Sequence, residues 1–222
     1  MEINISGVNK KYGKKTVLNN LELTGVSGDC IGIIGRNGTG KSTLLSTLAG
    51  VIRPDSGSFM INGQNAFTND TIRHSEVAYV PQGTPLIEEL SALDNLKMWY
   101  DADDMKKSLE DGFLHLLGIN DFLDVTVNKM SGGMKKRLSI GCAINNNPSI
   151  LLLDEPTAAL DIICREAVYD YFKAFREKGG ILIIATHVIH EISKCSKTYI
   201  LKDGSLNSYT FNDDVSDLLK EI

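Results

Sequence analysis

The run Gly35-Arg36-Asn37-Gly38-Thr39-Gly40-Lys41-Ser42-Thr43 constrains this chain of 222 residues more than any other stretch. It satisfies the spacing G-x4-G-K-[ST] with one further glycine inside. Cys30-Ile31-Gly32-Ile33-Ile34 ahead of it is a short apolar run of the kind that forms a buried central strand. Ser42 to Ala49 behind it has helical character, with Leu44, Leu45 and Leu48 on one side and Gly50 at the close. Strand, glycine loop and helix together are the context in which such a loop cradles phosphates. Glycines let successive backbone N–H groups converge on phosphate oxygens with no Cβ in the way, and the helix start adds its positive dipole end. Asn37, Gly38, Thr39, Gly40, Lys41, Ser42 and Thr43 are therefore expected to hold a nucleoside triphosphate. In that role Lys41 is a compact cation at the β and γ phosphates, and the Ser42 hydroxyl is a hard oxygen ligand for Mg²⁺.

A prior of about 150 residues per domain makes this chain one large domain, or one domain with a substantial inserted piece. Residues 2 to 8 alternate apolar and polar, and Val17, Leu21 and Leu23 continue a strand-rich opening. Phe59-Met60-Ile61 before Asn62-Gly63 reads as a strand entering a tight turn, and Val77–Val80 as another strand. Strand runs then vanish. Leu93, Leu96, Leu109, Phe113, Leu116 and Leu117 recur at helical intervals, so residues 84–145 form a helical insert in a core made of 1–83 and 146–222. Sheet rhythm returns with strand Ile150–Leu153, helix Ile163–Lys178 ended by Gly179-Gly180, and strands Ile181–Ala185 and Thr198–Leu201. Alternation of this kind predicts a mainly parallel α/β sheet. A short acidic tail surrounds Asp213, Asp214 and Asp217.

Ile150-Leu151-Leu152-Leu153 runs directly into Asp154-Glu155-Pro156. Consecutive residues at a strand end point in different directions, so one carboxylate can hold a metal shell while its neighbour addresses a water. Asp154 is the metal partner on this reading, because its strand is expected to lie beside the phosphate-loop strand. Glu155 is then free to orient or deprotonate an attacking water. A nucleotide kinase brings its own acceptor hydroxyl and needs no such Glu; a hydrolase does.

Three further pieces follow in order: Gln82 in Val80-Pro81-Gln82, Ser131-Gly132-Gly133 in Met130 to Arg137, and His187 in Ala185-Thr186-His187. Arg53-Pro54-Asp55-Ser56-Gly57 followed by Ile61-Asn62-Gly63 belongs to the same pattern. With the phosphate loop and the Asp-Glu pair, they closely resemble the nucleotide-binding subunit of ATP-binding-cassette (ABC) transporters, from about Tyr12 to Gly204. The resemblance implies a P-loop NTPase fold with an N-terminal antiparallel β subdomain and an inserted helical subdomain. It implies that Tyr12 stacks on adenine, that Gln82 links the Mg²⁺ and water site to a membrane subunit, and that His187 contacts the γ-phosphate. It also implies that Asp161 belongs to a loop crossing a dimer interface. Ser131-Gly132-Gly133, at a helix start, is a second anion site, which in this family meets the ATP held by the opposite subunit. Catalytic roles thus fall to Lys41, Gln82, Glu155 and His187, and Mg²⁺ ligation to Ser42, Gln82 and Asp154. Two positions depart from the commoner pattern, Met134 in place of Gln and Ala158 in place of Ser; Met134 is similar to drug- and antibiotic-export ATPases of bacteria.

The expected cofactors are ATP and Mg²⁺. The expected partners are separate transmembrane permease subunits and a second ATPase subunit, identical or related. Formal charge is −5 and hydrophobic residues make up 42%, so no basic nucleic-acid footprint and no nucleic-acid partner is expected. No apolar run approaches the roughly 20 residues of a membrane span and no secretory signal is visible, so the expected location is cytoplasmic, peripheral on the membrane. Cys30, Cys142, Cys164 and Cys195 form no CxxC pair and read as buried free thiols. A GTPase fits poorly, because Asn128-Lys129-Met130-Ser131 ends in Ser where guanine reading needs a carboxylate. Non-transport cassettes with long coiled coils fit poorly with the short stretch between Gln82 and Ser131, and those with two cassettes per chain fit poorly with the single set of motifs read here. A silent regulatory cassette is disfavoured by Lys41, Asp154, Glu155 and His187 all being present. Export is favoured over import, and the transported substrate is bound by subunits not encoded here.

Overall fold

The computed structural model describes every residue except Ala159, Asp213 and Asp214; those two acidic-tail residues and the middle of Ala158-Ala159-Leu160 lie outside the described residues. The chain opens with a long antiparallel hairpin, β1 (Glu2–Tyr12) and β2 (Lys15–Val26), and β4 (Ser56–Ile61) and β5 (Gln64–Asn65) extend it into a sheet of order β2-β1-β4-β5. Between them run β3 (Cys30–Ile34) and helix α1 (Lys41–Leu48). After α2 (Asp70–Glu76) come β6 (Val77–Val80) and a helical stretch: α3 (Ala92–Lys97), α4 (Ala102–Glu110), α5 (Phe113–Leu116) and α6 (Gly132–Ala143). The chain then alternates through β7 (Ile150–Asp154), α7 (Ile162–Glu177), β8 (Ile181–Ala185), α8 (Ile189–Lys194), β9 (Lys197–Lys202), β10 (Ser205–Tyr209) and α9 (Val215–Glu221).

The second sheet has the order β10-β9-β3-β8-β7-β6, and every pairing in it is parallel except β9 with β10. Its central strands are buried on both faces, which is why Cys30–Ile34, Ile150–Leu153 and Ile181–Ala185 read as unbroken apolar runs. The faces separate by the period of two. Ile31, Ile33, Ile150, Leu152, Ile181 and Ile183 pack with α1 and the antiparallel sheet, while Leu151, Leu153, Leu182 and Ile184 pack with α6 and α7. Helix α7 presents Cys164, Val168, Tyr171, Phe172 and Phe175 to that second face, the stripe expected of a helix lying on a sheet.

One expectation is overturned. The strand of Asp154 does not lie beside the phosphate-loop strand; β8 separates β7 from β3. With neighbouring strands about 4.8 Å apart, the two lie roughly 10 Å apart. Asp154 reaches the loop because parallel strands all end at the same edge of the sheet. The thiols differ from expectation at Cys195, which is only half-buried; Cys30, Cys142 and Cys164 are buried. No described helix is long and apolar enough to cross a membrane.

Candidate functional site

The loop after β3 owes its path to glycine at two positions. Gly40 holds φ at 110°, a left-handed value that favours glycine, and a Cβ there would lie 2.7 Å from Val17 of β2. A Cβ on Gly35 would lie 2.6 Å from the Leu201 carbonyl oxygen of β9. Neighbouring strands thus press the loop from both sides. Lys41 begins α1 and is only 7% exposed. Its Nζ donates to the carbonyls of Gly35 (2.7 Å) and Arg36 (3.2 Å), so the ammonium sits inside the loop's own curve. Burial pushes its pKa down from the usual lysine range, against the pull of Glu155 and Asp154.

A cavity of about 450 Å³ opens over this loop, with Tyr12, Asn37, Lys41, Ser42, Thr43 and Gln82 in its wall. Gly38, Gly40, Asp154 and Glu155 complete the wall with Lys15 and Val17 of β2. Asp154 is 2% exposed at the end of β7. Glu155 follows with φ at 49°, a left-handed conformation that strains a non-glycine residue and turns it from its neighbour's direction. Its backbone N–H donates to the Ala185 carbonyl at 2.9 Å. Nδ1 of His187 donates to its Oε1 at 2.8 Å, while Oε2 is buried and has no partner among the described residues. A carboxylate with one oxygen anchored and one free is the arrangement a water-directing base needs. The His187 ring, 67% exposed, is thereby held beside the cavity although it is not part of its wall.

Ser131-Gly132-Gly133 stands elsewhere. Ser131 caps α6, its Oγ accepting from Met134 N–H at 3.2 Å, and none of the three residues lines the phosphate cavity. The Met134 side chain packs on the core beneath. A Cβ on Gly133 would meet Cys164 Sγ at 2.5 Å, so the start of α6 lies tight against the start of α7. Asp161 caps that second helix, accepting from Cys164 N–H at 2.8 Å, a bond that holds its carboxyl below the usual range. Ile162 and Ile163 beside it are 76% and 83% exposed.

Sequence reading missed two buried ionisable groups next to the site. Thr157 Oγ1 donates to Glu191 of α8, and burial pushes the Glu191 carboxyl up. Lys136 of α6 donates to the Pro81 carbonyl at 2.9 Å. Burial pushes its pKa down to about 8, with Asp154, Glu191 and Glu155 pulling the other way. Neither belongs to a run that marks it; only the fold brings them here. Lys15 had a weak signal, its position just past Tyr12 in the hairpin.

The donors at the cavity suit Mg²⁺. Ser42, Gln82 and Asp154 offer hard oxygens with a single carboxylate, and no cluster of three His, Cys, Asp or Glu occurs among the described residues. A cation that takes few protein ligands and completes its shell with phosphate and water matches such a set.

The family model described as ABC transporter matches residues 18–158. The Nod factor export ATP-binding protein I of Rhizobium sp. (strain N33) is 32% identical over 207 residues, covering 91% of this chain and 68% of that protein. The probable multidrug ABC transporter ATP-binding protein YbhF of Escherichia coli (strain K12) is 30% identical over 210 residues, covering 92% of this chain and 36% of that protein. Among solved structures, a dimeric ATP-binding cassette in a post-hydrolysis state bound to ADP and Pi superposes with a TM-score of 0.82 at 28% identity, over 94% of this chain and 98% of that one. Strand order, phosphate cavity, carboxylate pair and these likenesses agree: the chain belongs to the ABC transporter family and is an ATP-binding, ATP-hydrolysing cassette.

Proposed function

We propose that this cassette powers export through separate membrane subunits, working on the cytoplasmic face of the membrane as a head-to-tail pair with a second copy. The observation that carries the pairing is the distance in the fold between two anion sites: the phosphate cavity has no contribution from Ser131-Gly132-Gly133 of the same chain. Rotating a second copy to bring its α6 start over the cavity completes the site. The exposed Ile162-Ile163 pair beside Asp161 supplies apolar surface for that contact. The similarity to proteins named for Nod factor export and multidrug transport supports the direction.

In this mechanism Asn37 to Thr43 receive the phosphates and Lys41 exchanges the carbonyls of Gly35 and Arg36 for β- and γ-phosphate oxygens. Mg²⁺, held by Ser42, Gln82 and Asp154, supplies charge neutralisation at the phosphates when bound. Glu155 takes the proton of the attacking water through its free oxygen, and His187 keeps the other oxygen in place and faces the γ-phosphate. Ser131-Gly132-Gly133 of the partner grips the same phosphate, and Asp161 shapes the interface. Loss of the γ-phosphate removes the shared ligand and loosens the pair, which pushes on the attached membrane subunits.

Tyr12 ends β1 and is nearly half exposed at the mouth of the cavity, with Lys10 Nζ 5.7 Å from its ring centre. It stacks on adenine in this reading. Tyr12→Ala is expected to raise KM for ATP about fivefold with kcat unchanged, the worth of one aromatic stack; an unchanged KM assigns Tyr12 to the sheet alone. The wider reading is tested by purification of the chain from its native membrane in mild detergent. Recovery of a polytopic membrane protein with it is the expected result, and recovery of ribosomes or DNA in its place contradicts a transport role.

A further inference from the structure

We propose that Lys136 is a positioning residue for hydrolysis, tying helix α6 to the peptide that carries Gln82. Lysine is almost never fully buried, yet Lys136 is 5% exposed. Its Nζ donates at 2.9 Å to the main-chain oxygen of Pro81, 55 residues away in sequence. Pro81 follows the last residue of β6 and precedes Gln82, which lines the phosphate cavity.

The peptide bond explains why this contact reaches Gln82. The carbonyl of Pro81 and the nitrogen of Gln82 share one rigid plane. Fixing the oxygen fixes that plane, and with it the direction in which Gln82 leaves the strand. The ammonium is a stronger donor to a carbonyl than a neutral group is, and a buried carbonyl left without a donor carries a desolvation cost.

The neighbours of Lys136 do other work. Lys135 pairs with Glu88 at 3.2 Å, and Arg137 donates to the Leu117 carbonyl at 3.0 Å. Of these three consecutive basic residues, Lys136 alone reaches the segment at the end of β6. It lies five positions after Ser131 in a continuous helix, about 7.5 Å along the axis at 1.5 Å per residue. A displacement of the α6 start is therefore delivered to Gln82 through a stiff rod and one hydrogen bond. This inference rests on the proposed role of Gln82 in holding Mg²⁺ at the phosphate cavity and adds the residue that orients it.

The test is a double-mutant cycle of steady-state ATP hydrolysis with Lys136→Met, Gln82→Ala and both together, alongside Lys136→Arg. Lys136→Met is expected to lower kcat about tenfold, the loss of one charge-assisted bond, while KM for ATP stays within about twofold because the phosphate contacts are intact. Lys136→Arg, still a cationic donor, recovers most of kcat. The double variant is expected to be no slower than Gln82→Ala alone, since both changes remove one effect. If Lys136→Met unfolds, Lys136→Gln, polar but uncharged and one atom shorter, removes the ammonium's reach to the Pro81 carbonyl, and the same cycle is read with it. Unchanged kcat in Lys136→Met, additive losses in the double variant, or no recovery with Lys136→Arg overturns the assignment. A Gln82→Ala variant that turns over at the wild-type rate instead removes the proposed role of Gln82. Any loss from Lys136→Met that persists in that background then shows Lys136 acting on packing alone.

Discussion

Glu155→Gln is expected to leave ATP binding intact and to lower hydrolysis about a thousandfold, within the range seen for loss of a positioned base. The substitution keeps size and shape. An amide oxygen can still accept from His187 Nδ1, at the oxygen now bonded at 2.8 Å. What disappears is the basic oxygen: Oε2, buried and unpartnered in the wild type, becomes a poor proton acceptor. The strained φ of 49° and the N–H bond to Ala185 belong to the backbone and persist. In the proposed site affinity rests on Lys41, the loop N–H groups and Tyr12, whose positions the change leaves in place; it removes only the pull of one of two carboxylates on Lys41, where Asp154 remains. Phosphate release under saturating ATP and equilibrium ATP binding separate the two effects. Hydrolysis at the wild-type rate removes Glu155 from the base role.

Lys41→Ala produces the opposite division. Affinity for ATP is expected to fall about a hundredfold, since a charge-assisted contact is worth about 1.5–3 kcal/mol and each 1.4 kcal/mol is tenfold in Kd. Binding of adenosine, which has no phosphate, is expected to stay unchanged. Lys41 is buried and its charge is opposed by that burial, so the fold does not depend on it strongly. The carbonyls of Gly35 and Arg36 lose their donor, and water enters the space that the side chain leaves beside the cavity lined by Lys41. ATP and adenosine titrations on the two proteins check this. Equal ATP affinity in wild type and variant contradicts a phosphate role for Lys41.

The parts of the fold visible in the sequence are those where one physical signal dominates. Ile150–Leu153 and Ile181–Ala185 announce themselves because strands covered on both faces carry no polar residue. The glycine loop is visible because Gly35 and Gly40 stand where no Cβ fits. Helix α2 buries none of its residues and so has no apolar period to read, and α8 is six residues long. Strand β10 is an edge strand paired on one side only, and its polar residues gave no run. Adjacency of β3 and β7 does not follow from their sequence, because chain order does not determine sheet order; β8, later in sequence, inserts between them. In the site, Lys41, Asp154 and Glu155 were legible from local context. Lys136 and Glu191 were not, because a lysine in a basic helix turn and a glutamate after a strand both look like surface residues until the fold buries them. The Cys30 and Cys195 sulfurs, 3.4 Å apart, are likewise a product of β3 lying beside the turn into β9, which no cysteine spacing reveals.

The claim that organises all of these roles is that one ATP is shared between two chains. Light scattering of Glu155→Gln with and without ATP tests it most directly. On this account ATP raises the mass from 24.3 kDa to twice that value. Adding Ser131→Arg, which fills the α6 start with a bulky side chain while leaving the phosphate cavity untouched, returns the protein to monomer with ATP still bound. A Glu155→Gln protein that stays monomeric in ATP, or a doubly substituted one that dimerises equally well, contradicts it.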